Sequence, residues 1–297
     1  MQKILLITPP FTQLNTVYPA TAYIKGFLNT KNIDSHQVDL GIEIFNKIFS
    51  EQGLISVFNE INKLQNHNFS ENIQRIIHLK NDYIETIDKV KEFLQGKNQD
   101  LAYLICSRNF LPEASRFSQL ADSEWVFGIM GNYNKAKHLA SLYLEDISDL
   151  ISQTIDPNFG FTRYAERLGR VANTFDEIEA RLNSKPSLTE HFLFLELKKI
   201  IEKIEPTIVA ITIPFAGNIY SALRCGQWLK KNHRKIKVVF GGGFCNTELR
   251  SLSDARVFRF VDFITLDDGE LPLFQIHEYL DKKIEINKLK RTFVIEN

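Results

Sequence analysis

The chain has 297 residues, 44% of them hydrophobic, and its 36 lysines and arginines are balanced by 36 aspartates and glutamates. That is apolar material for one large core or two modest ones, and the balanced charge leaves no electrostatic footprint for nucleic acid or an anionic membrane surface. No stretch approaches the roughly 18 continuous apolar residues of a membrane span, and residues 4–7 are too short an apolar run for a signal peptide, so a cytoplasmic location is the expectation.

Lys3-Ile-Leu-Leu-Ile-Thr8, stopped by Pro9 and Pro10, has the pattern of a strand buried on both faces of a parallel sheet. Ala22, Tyr23, Phe27 and Leu28 then recur at helical spacing, and residues 33–40 return to an extended pattern that ends at Gly41. A short helix through Ile44, Ile48 and Phe49 follows. From about Gly53 to Lys185 the apolar residues fall three or four apart, as in Leu54, Phe58 and Ile61, or Leu139, Tyr143, Ile147, Leu150 and Ile151. This predicts helix after helix, packed as a bundle.

After Pro186, Ser187 and Glu190 stand at the spacing of a capping box at the start of a new helix, which Glu205-Pro206 ends. Residues 207–213, 236–240 and 261–266 are further strands of the buried type, with a helix over 220–231 between the first two. Strands alternating with helices imply parallel crossovers. Neither flank has enough strands for a sheet alone. Residues 1–50 and 187–285 are therefore expected to form one α/β domain, a Rossmann-like (flavodoxin-like) parallel sheet interrupted by an all-helical insertion at 51–186. Residues 286–297 read as a linker or strand leading towards a further domain.

Ligands of open parallel sheets bind beyond the carboxyl ends of the strands, which singles out four loops. They are Thr8-Pro9-Pro10-Phe11, Ile213-Pro214-Phe215-Ala216-Gly217-Asn218, Gly241-Gly242-Gly243-Phe244-Cys245 and Asp267-Asp268-Gly269-Glu270. Three adjacent glycines let a backbone approach a bulky or phosphorylated ligand, or simply make a tight turn at positive φ. The carboxylates of Asp267, Asp268 and Glu270 could hold a ligand hydroxyl or a magnesium ion, or form a solvated turn with acids at a helix N-terminus. The dinucleotide G-x-G-x-x-G and the phosphate-binding G-x-x-x-x-G-K-[ST] are both missing, as is any nucleophile elbow. The seven histidines have no zinc-site spacing. Cys106, Cys225 and Cys245 are odd in number and far apart, which fits buried thiols in a reducing compartment.

Taken together, the residue 3–10 strand and proline loop, Tyr18-Pro19-Ala20 with the helix after it, the turn Gly241-Gly242-Gly243, and Val261-Asp262 through Asp268-Gly269-Glu270-Leu271-Pro272-Leu273 resemble the cobalamin-binding-type domain at the N-terminus of radical SAM proteins. The resemblance covers residues 1–50 and 187–285. It implies cobalamin as cofactor, held by Thr8, Pro9, Pro10, Phe11, Pro214, Phe215, Ala216, Gly217, Gly241, Gly242, Gly243, Phe244, Asp268, Gly269 and Glu270. It also implies a C-terminal radical SAM domain as partner, carrying the [4Fe–4S] cluster and S-adenosylmethionine.

Two departures qualify the resemblance. The family's C-x-x-x-C-x-x-C cluster motif is missing, so the chain reads as a non-catalytic part of a radical SAM enzyme, which could be a methyltransferase. The D-x-H-x-x-G loop of methionine-synthase-type domains is also missing, and residues 8–15 hold no histidine, so cobalt would lack a protein histidine below it. The expected function is a cofactor- or substrate-presenting module. The alternatives are a cofactor-free interaction or substrate-recognition module, favoured by the bulky loop residues, and an enzyme acting on a nucleotide or nucleotide sugar.

Overall fold

The structure, a computed structural model, describes residues 2–14, 16–64, 68–122, 124–161 and 175–295. Six strands form one mixed sheet: β1 (Ile4–Thr8), β2 (Ser35–Asp39), β3 (Ile208–Thr212), β4 (Lys237–Gly241), β5 (Phe263–Thr265) and β6 (Thr292–Phe293). Their order is β2-β1-β3-β4-β5-β6, parallel throughout except for β6, which runs antiparallel to β5. This is the Rossmann-like α/β architecture with a helical insertion. The strand order reverses between β1 and β3, the place where such sheets open a crevice.

The chain divides into two compact units. Residues 1–44, 160–186 and 190–297 make up the sheet unit, and residues 45–159 with 187–189 the helical one. The expected insertion of 51–186 is thus divided, its last part being counted with the sheet. The closing strand, expected to lead away, adds to this sheet instead: Phe293 pairs with Ile264 and Thr292 with Thr265.

In the sheet unit, all five residues of β1 are buried, as a strand covered on both faces must be. One face carries Ile4, Leu6, Ile208, Val239 and Phe263. Against them lie α1 (Ala20–Thr30), through Ile24, Phe27 and Leu28, and the C-terminal helix Glu270–Leu280, through Leu273 and Ile276. The opposite parity of the strands, Leu5, Ile7, Val209, Ile211, Val238 and Phe240, is equally buried. Helix α2 (Leu40–Ile48) begins where the Asp39 side chain accepts from the Gly41 and Ile42 amides at 2.8 and 3.2 Å.

The helical unit contains α3 (Glu51–Asn62), α4 (Glu71–His78), α5 (Lys80–Leu94), α6 (Leu101–Cys106) and α7 (Glu124–Thr154), the last interrupted at Gly131. No strand occurs among its described residues. The spaced apolar residues become its core: Leu54, Val57, Ile61, Ile87, Leu139, Tyr143, Ile147 and Ile151 are buried. Tyr83 and Tyr143 stack with ring centroids 5.1 Å apart. Beside them the carboxylate of Asp146, fully buried, accepts from the amides of Ala114 and Arg116 at 3.0 and 3.2 Å and from the Tyr83 hydroxyl at 3.4 Å.

Further helices of the sheet unit are α8 (Phe175–Asn183), α9 (Leu188–Ile204, its first residues counted with the helical unit), α10 (Ala216–Asn232), α11 (Gly243–Thr247) and α12, the C-terminal helix Glu270–Leu280. Glu190, expected at a capping box, is 1% exposed and bonds to Tyr220 and Arg224 of α10, partners that its spacing does not indicate.

Candidate functional site

At the carboxyl ends of the parallel strands, a crevice of about 260 Å³ opens between the sheet and the helices α1 and α12. Its floor is Leu6 of β1, Ala210 of β3 and Val239 of β4, residues of one strand parity. Its walls are Ala20, Thr21, Tyr23 and Ile24 of α1 and Leu273 of α12. The polar end is formed by Thr212, Gly241, Gly242, Thr265 and the 267–270 loop. Ala210 matters here, because a bulkier residue of the same parity would fill the space that its methyl leaves.

Two threonines stand at that polar end in different states. Thr265 donates its hydroxyl to the Phe240 carbonyl at 3.1 Å. The Thr212 Oγ1 is buried without a hydrogen-bond partner. A buried hydroxyl left unpaired costs about 1–3 kcal/mol, so an unsatisfied polar group stands at the strand end beside the crevice.

Of the residues expected to bind a cofactor, Gly241, Gly242, Asp268, Gly269 and Glu270 line this crevice. Their physical explanation is partly internal to the turn. Gly242 has φ +101°, and a Cβ there would meet Thr212 Oγ1 at 2.8 Å and the Ile213 backbone at 2.9 Å. A Cβ on Gly241 would lie 2.6 Å from Thr265 Oγ1, and one on Gly243 would lie 2.9 Å from the Pro214 carbonyl oxygen. The close approach of the β4 end to the ends of β3 and β5 therefore favours the triplet before any ligand is considered. In the acidic loop, Asp267 at φ +60° is held by Arg250, by Arg291 at 3.4 Å, and by Asn246, whose side chain bonds its backbone. Asp268 is exposed, and Glu270 sits in the first turn of α12, where the helix dipole favours an acid.

The other expected residues lie elsewhere. Thr8, Pro9, Pro10 and Phe11 are buried, and Phe11 is only 1% exposed. Asn218 at the start of α10 donates to the carbonyls of Pro9 at 3.4 Å and Phe11 at 3.1 Å, which ties that loop to the helix. Phe11 points its ring towards Gly41, where a Cβ would come within 3.6 Å of it. It fills the protein interior and is closed to a ligand face. Phe215 is 62% exposed and meets Tyr18 edge-to-face at 6.1 Å. Pro214 and Gly217 are buried, Ala216 begins α10, and Gly243 and Phe244 begin α11.

The residues that sequence reasoning did not place, above all Leu6, Ala210, Thr212 and Val239, are legible through strand parity. Ala210 is the one small side chain in Ile208-Val-Ala-Ile-Thr212. Among the cysteines, Cys225 and Cys245 are buried, and burial pushes both thiols up to about 12. Among the described residues no group of three His, Cys, Asp or Glu side chains is placed to hold a metal, and no helix is long and apolar enough to cross a membrane. Compared with known proteins, the chain matches no family, no curated protein and no solved structure.

Proposed function

We infer that this chain is a cofactor-presenting module whose crevice receives one ring-sized, largely apolar group of a larger cofactor, cobalamin by the resemblance of its loops, and offers it to a radical SAM catalytic domain. The observation that carries the reading is the crevice itself, apolar along its length and ending at the unpartnered Thr212 hydroxyl. At about 260 Å³ it falls below the ~300–1,000 Å³ of sites that enclose a drug-sized ligand. The residues fit a single ring with a hydrogen-bonding edge. A whole corrin does not fit inside, and would lie over the rim.

In this reading Leu6, Ala210, Val239 and Leu273 exclude water from the ring, Thr212 bonds its polar edge, and Gly241 and Gly242 bring the backbone close. When bound, cobalamin supplies a cobalt centre that carries a transferable methyl group. The chain contributes orientation and exclusion of water, and no histidine in residues 8–15 is available to the cobalt. The test is titration of the chain with hydroxocobalamin, followed in the visible spectrum and by calorimetry. Saturable binding that weakens about tenfold or more in Ala210→Phe is expected. Failure of every cobalamin form to bind, or binding indifferent to Ala210→Phe, overturns the assignment.

A second reading, a cofactor-free interaction module, is favoured by one observation. Val17, Tyr23, Phe215 and Leu271, on segments that follow strand ends, are 78, 71, 62 and 47% exposed. Large exposed apolar side chains near one end of the sheet suit a protein partner where they form a patch. A negative cobalamin titration with crosslinking at Phe215 and Tyr23 to a radical SAM domain would favour this reading.

A further inference from the structure

A second groove, of about 420 Å³, lies along β2 and α9 of the sheet unit. Strand β2 is the first in the sheet order and, among the described residues, pairs on one side only, with β1. Its register, Ile4 against Ser35 through Thr8 against Asp39, with the Ile4 amide donating to Asp34, turns the backbone groups of 34, 36 and 38 inward. Those of Ser35, Gln37 and Asp39 therefore point away from the sheet. An open edge of this kind is a template for another strand, and proteins usually blunt it with lysine, proline or a bulge. The sequence Ser35-His-Gln-Val-Asp39 contains no lysine or proline, and its five pairs run without a bulge.

The groove beside this edge has an apolar bottom and a cationic rim. Val38 of β2 and Ile200 and Ile204 of α9 line it, each half-buried. Lys199 and Lys203 stand exposed on α9, and His36 on the strand already faces the Asp34 carboxylate at 3.4 Å. Of the two acids lining the groove, Glu196 is paired with Lys199 at 3.4 Å, which leaves Glu43 against Lys203 and Lys3, the latter also donating to the Ile204 carbonyl at 3.2 Å.

We propose that the β2 edge is a docking site for an extended acidic peptide, which adds as a strand outside β2, places an apolar side chain on Val38, Ile200 and Ile204, and sets carboxylates towards Lys199 and Lys203. Main-chain pairing supplies affinity and alternate side chains supply selectivity, the usual division in strand addition. The complementary charge selects acidic over basic segments and makes binding fall with salt. The site shares no lining residue with the crevice and is independent of whatever that crevice holds.

The probe is a fluorescein-labelled nonapeptide of alternating glutamate and valine, followed by anisotropy with the whole chain. Saturable binding is expected, with the lysine–valine counterpart binding at least about tenfold more weakly. Gln37→Pro removes one outward amide and no inward bond, and should weaken binding about tenfold with an unchanged circular dichroism spectrum. If that variant fails to fold, Lys199→Glu with Lys203→Glu, both on exposed side chains, decides the matter by reversing the preference between the two peptides. No saturable binding of the acidic peptide, equal binding of both peptides, or full binding by a folded Gln37→Pro overturns the proposal. A concentration-dependent dimer that Gln37→Pro abolishes would also overturn it, by giving the edge to a second copy of the chain.

Discussion

Arg224 and Glu190 form an ion pair at 3.1 Å between side chains that are 2% and 1% exposed, inside the sheet unit. The guanidinium also donates to the Leu182 carbonyl at 2.5 Å, the Arg181 carbonyl at 3.0 Å and the Gln227 side chain at 2.7 Å, and Tyr220 donates to Glu190 at 2.5 Å. One arginine thus ties the end of α8 to α9 and α10. Removing Arg224 leaves the buried Glu190 carboxylate with the Tyr220 hydroxyl and a longer contact to Arg181 at 3.7 Å.

Arg224→Met is accordingly expected to destabilise the sheet unit by about 3–5 kcal/mol, whereas Arg224→Met with Glu190→Met should recover most of the loss. Urea unfolding of the two variants checks this. Equal losses in both would show that packing, and not the stranded carboxylate, sets the cost.

Asp146 gives the helical unit a pH dependence of definite sign. Burial raises its carboxyl to about 6, against hydrogen bonds from the Arg116 and Ala114 amides and Tyr83 that favour the charged form. Because the folded value lies above the unfolded one of ~3.9, this group's stabilisation is complete below about pH 4 and is lost as pH rises through about 6. Relative to Asp146→Asn, the natural protein should therefore lose on the order of 1–2 kcal/mol between pH 4 and pH 7. Thermal unfolding of both proteins across that range measures it, and a difference independent of pH would contradict the assignment.

Two glycines should respond in opposite directions to alanine. At Gly242, φ is +101° and a Cβ meets backbone at 2.9 Å, so Gly242→Ala is expected to cost about 1–3 kcal/mol. Gly26 is inside α1 and a Cβ there meets nothing within 4 Å, so Gly26→Ala should stabilise by about 0.5–1 kcal/mol. A melting temperature lowered by Gly26→Ala, or unchanged or raised by Gly242→Ala, would contradict the corresponding prediction.

The unpartnered hydroxyl of Thr212 separates stability from ligand binding. Thr212→Val removes a buried polar group that makes no bond, so the free protein is expected to be as stable or up to about 1 kcal/mol more so. The same change should weaken hydroxocobalamin binding. Differential scanning calorimetry and the titration together read both effects, and a loss of stability would mean that Thr212 has a partner in the free protein.

Much of the architecture is legible in one dimension, since apolar runs such as residues 4–7 and 208–211 bounded by prolines or glycines can only be strands covered on both faces. The spacing of Leu139, Tyr143, Ile147 and Ile151 likewise determined a buried helix face. Local signals also located Gly242, whose conformation few other residues adopt. What only the tertiary structure decided is where each loop side chain goes. Phe11 and Phe215 occupy equivalent places after two adjacent strands, yet one is buried beneath the Asn218 tie and the other is left exposed. The crevice floor depends on which parity of three distant strands faces α1. Glu190 meets Tyr220 and Arg224 only because the tertiary fold brings the start of α9 to α10, a pairing across 30 and 34 positions that no local spacing encodes. Short-range preferences act on the chain through steric clash and periodicity, whereas contacts between distant segments are selected by the packing of the whole core.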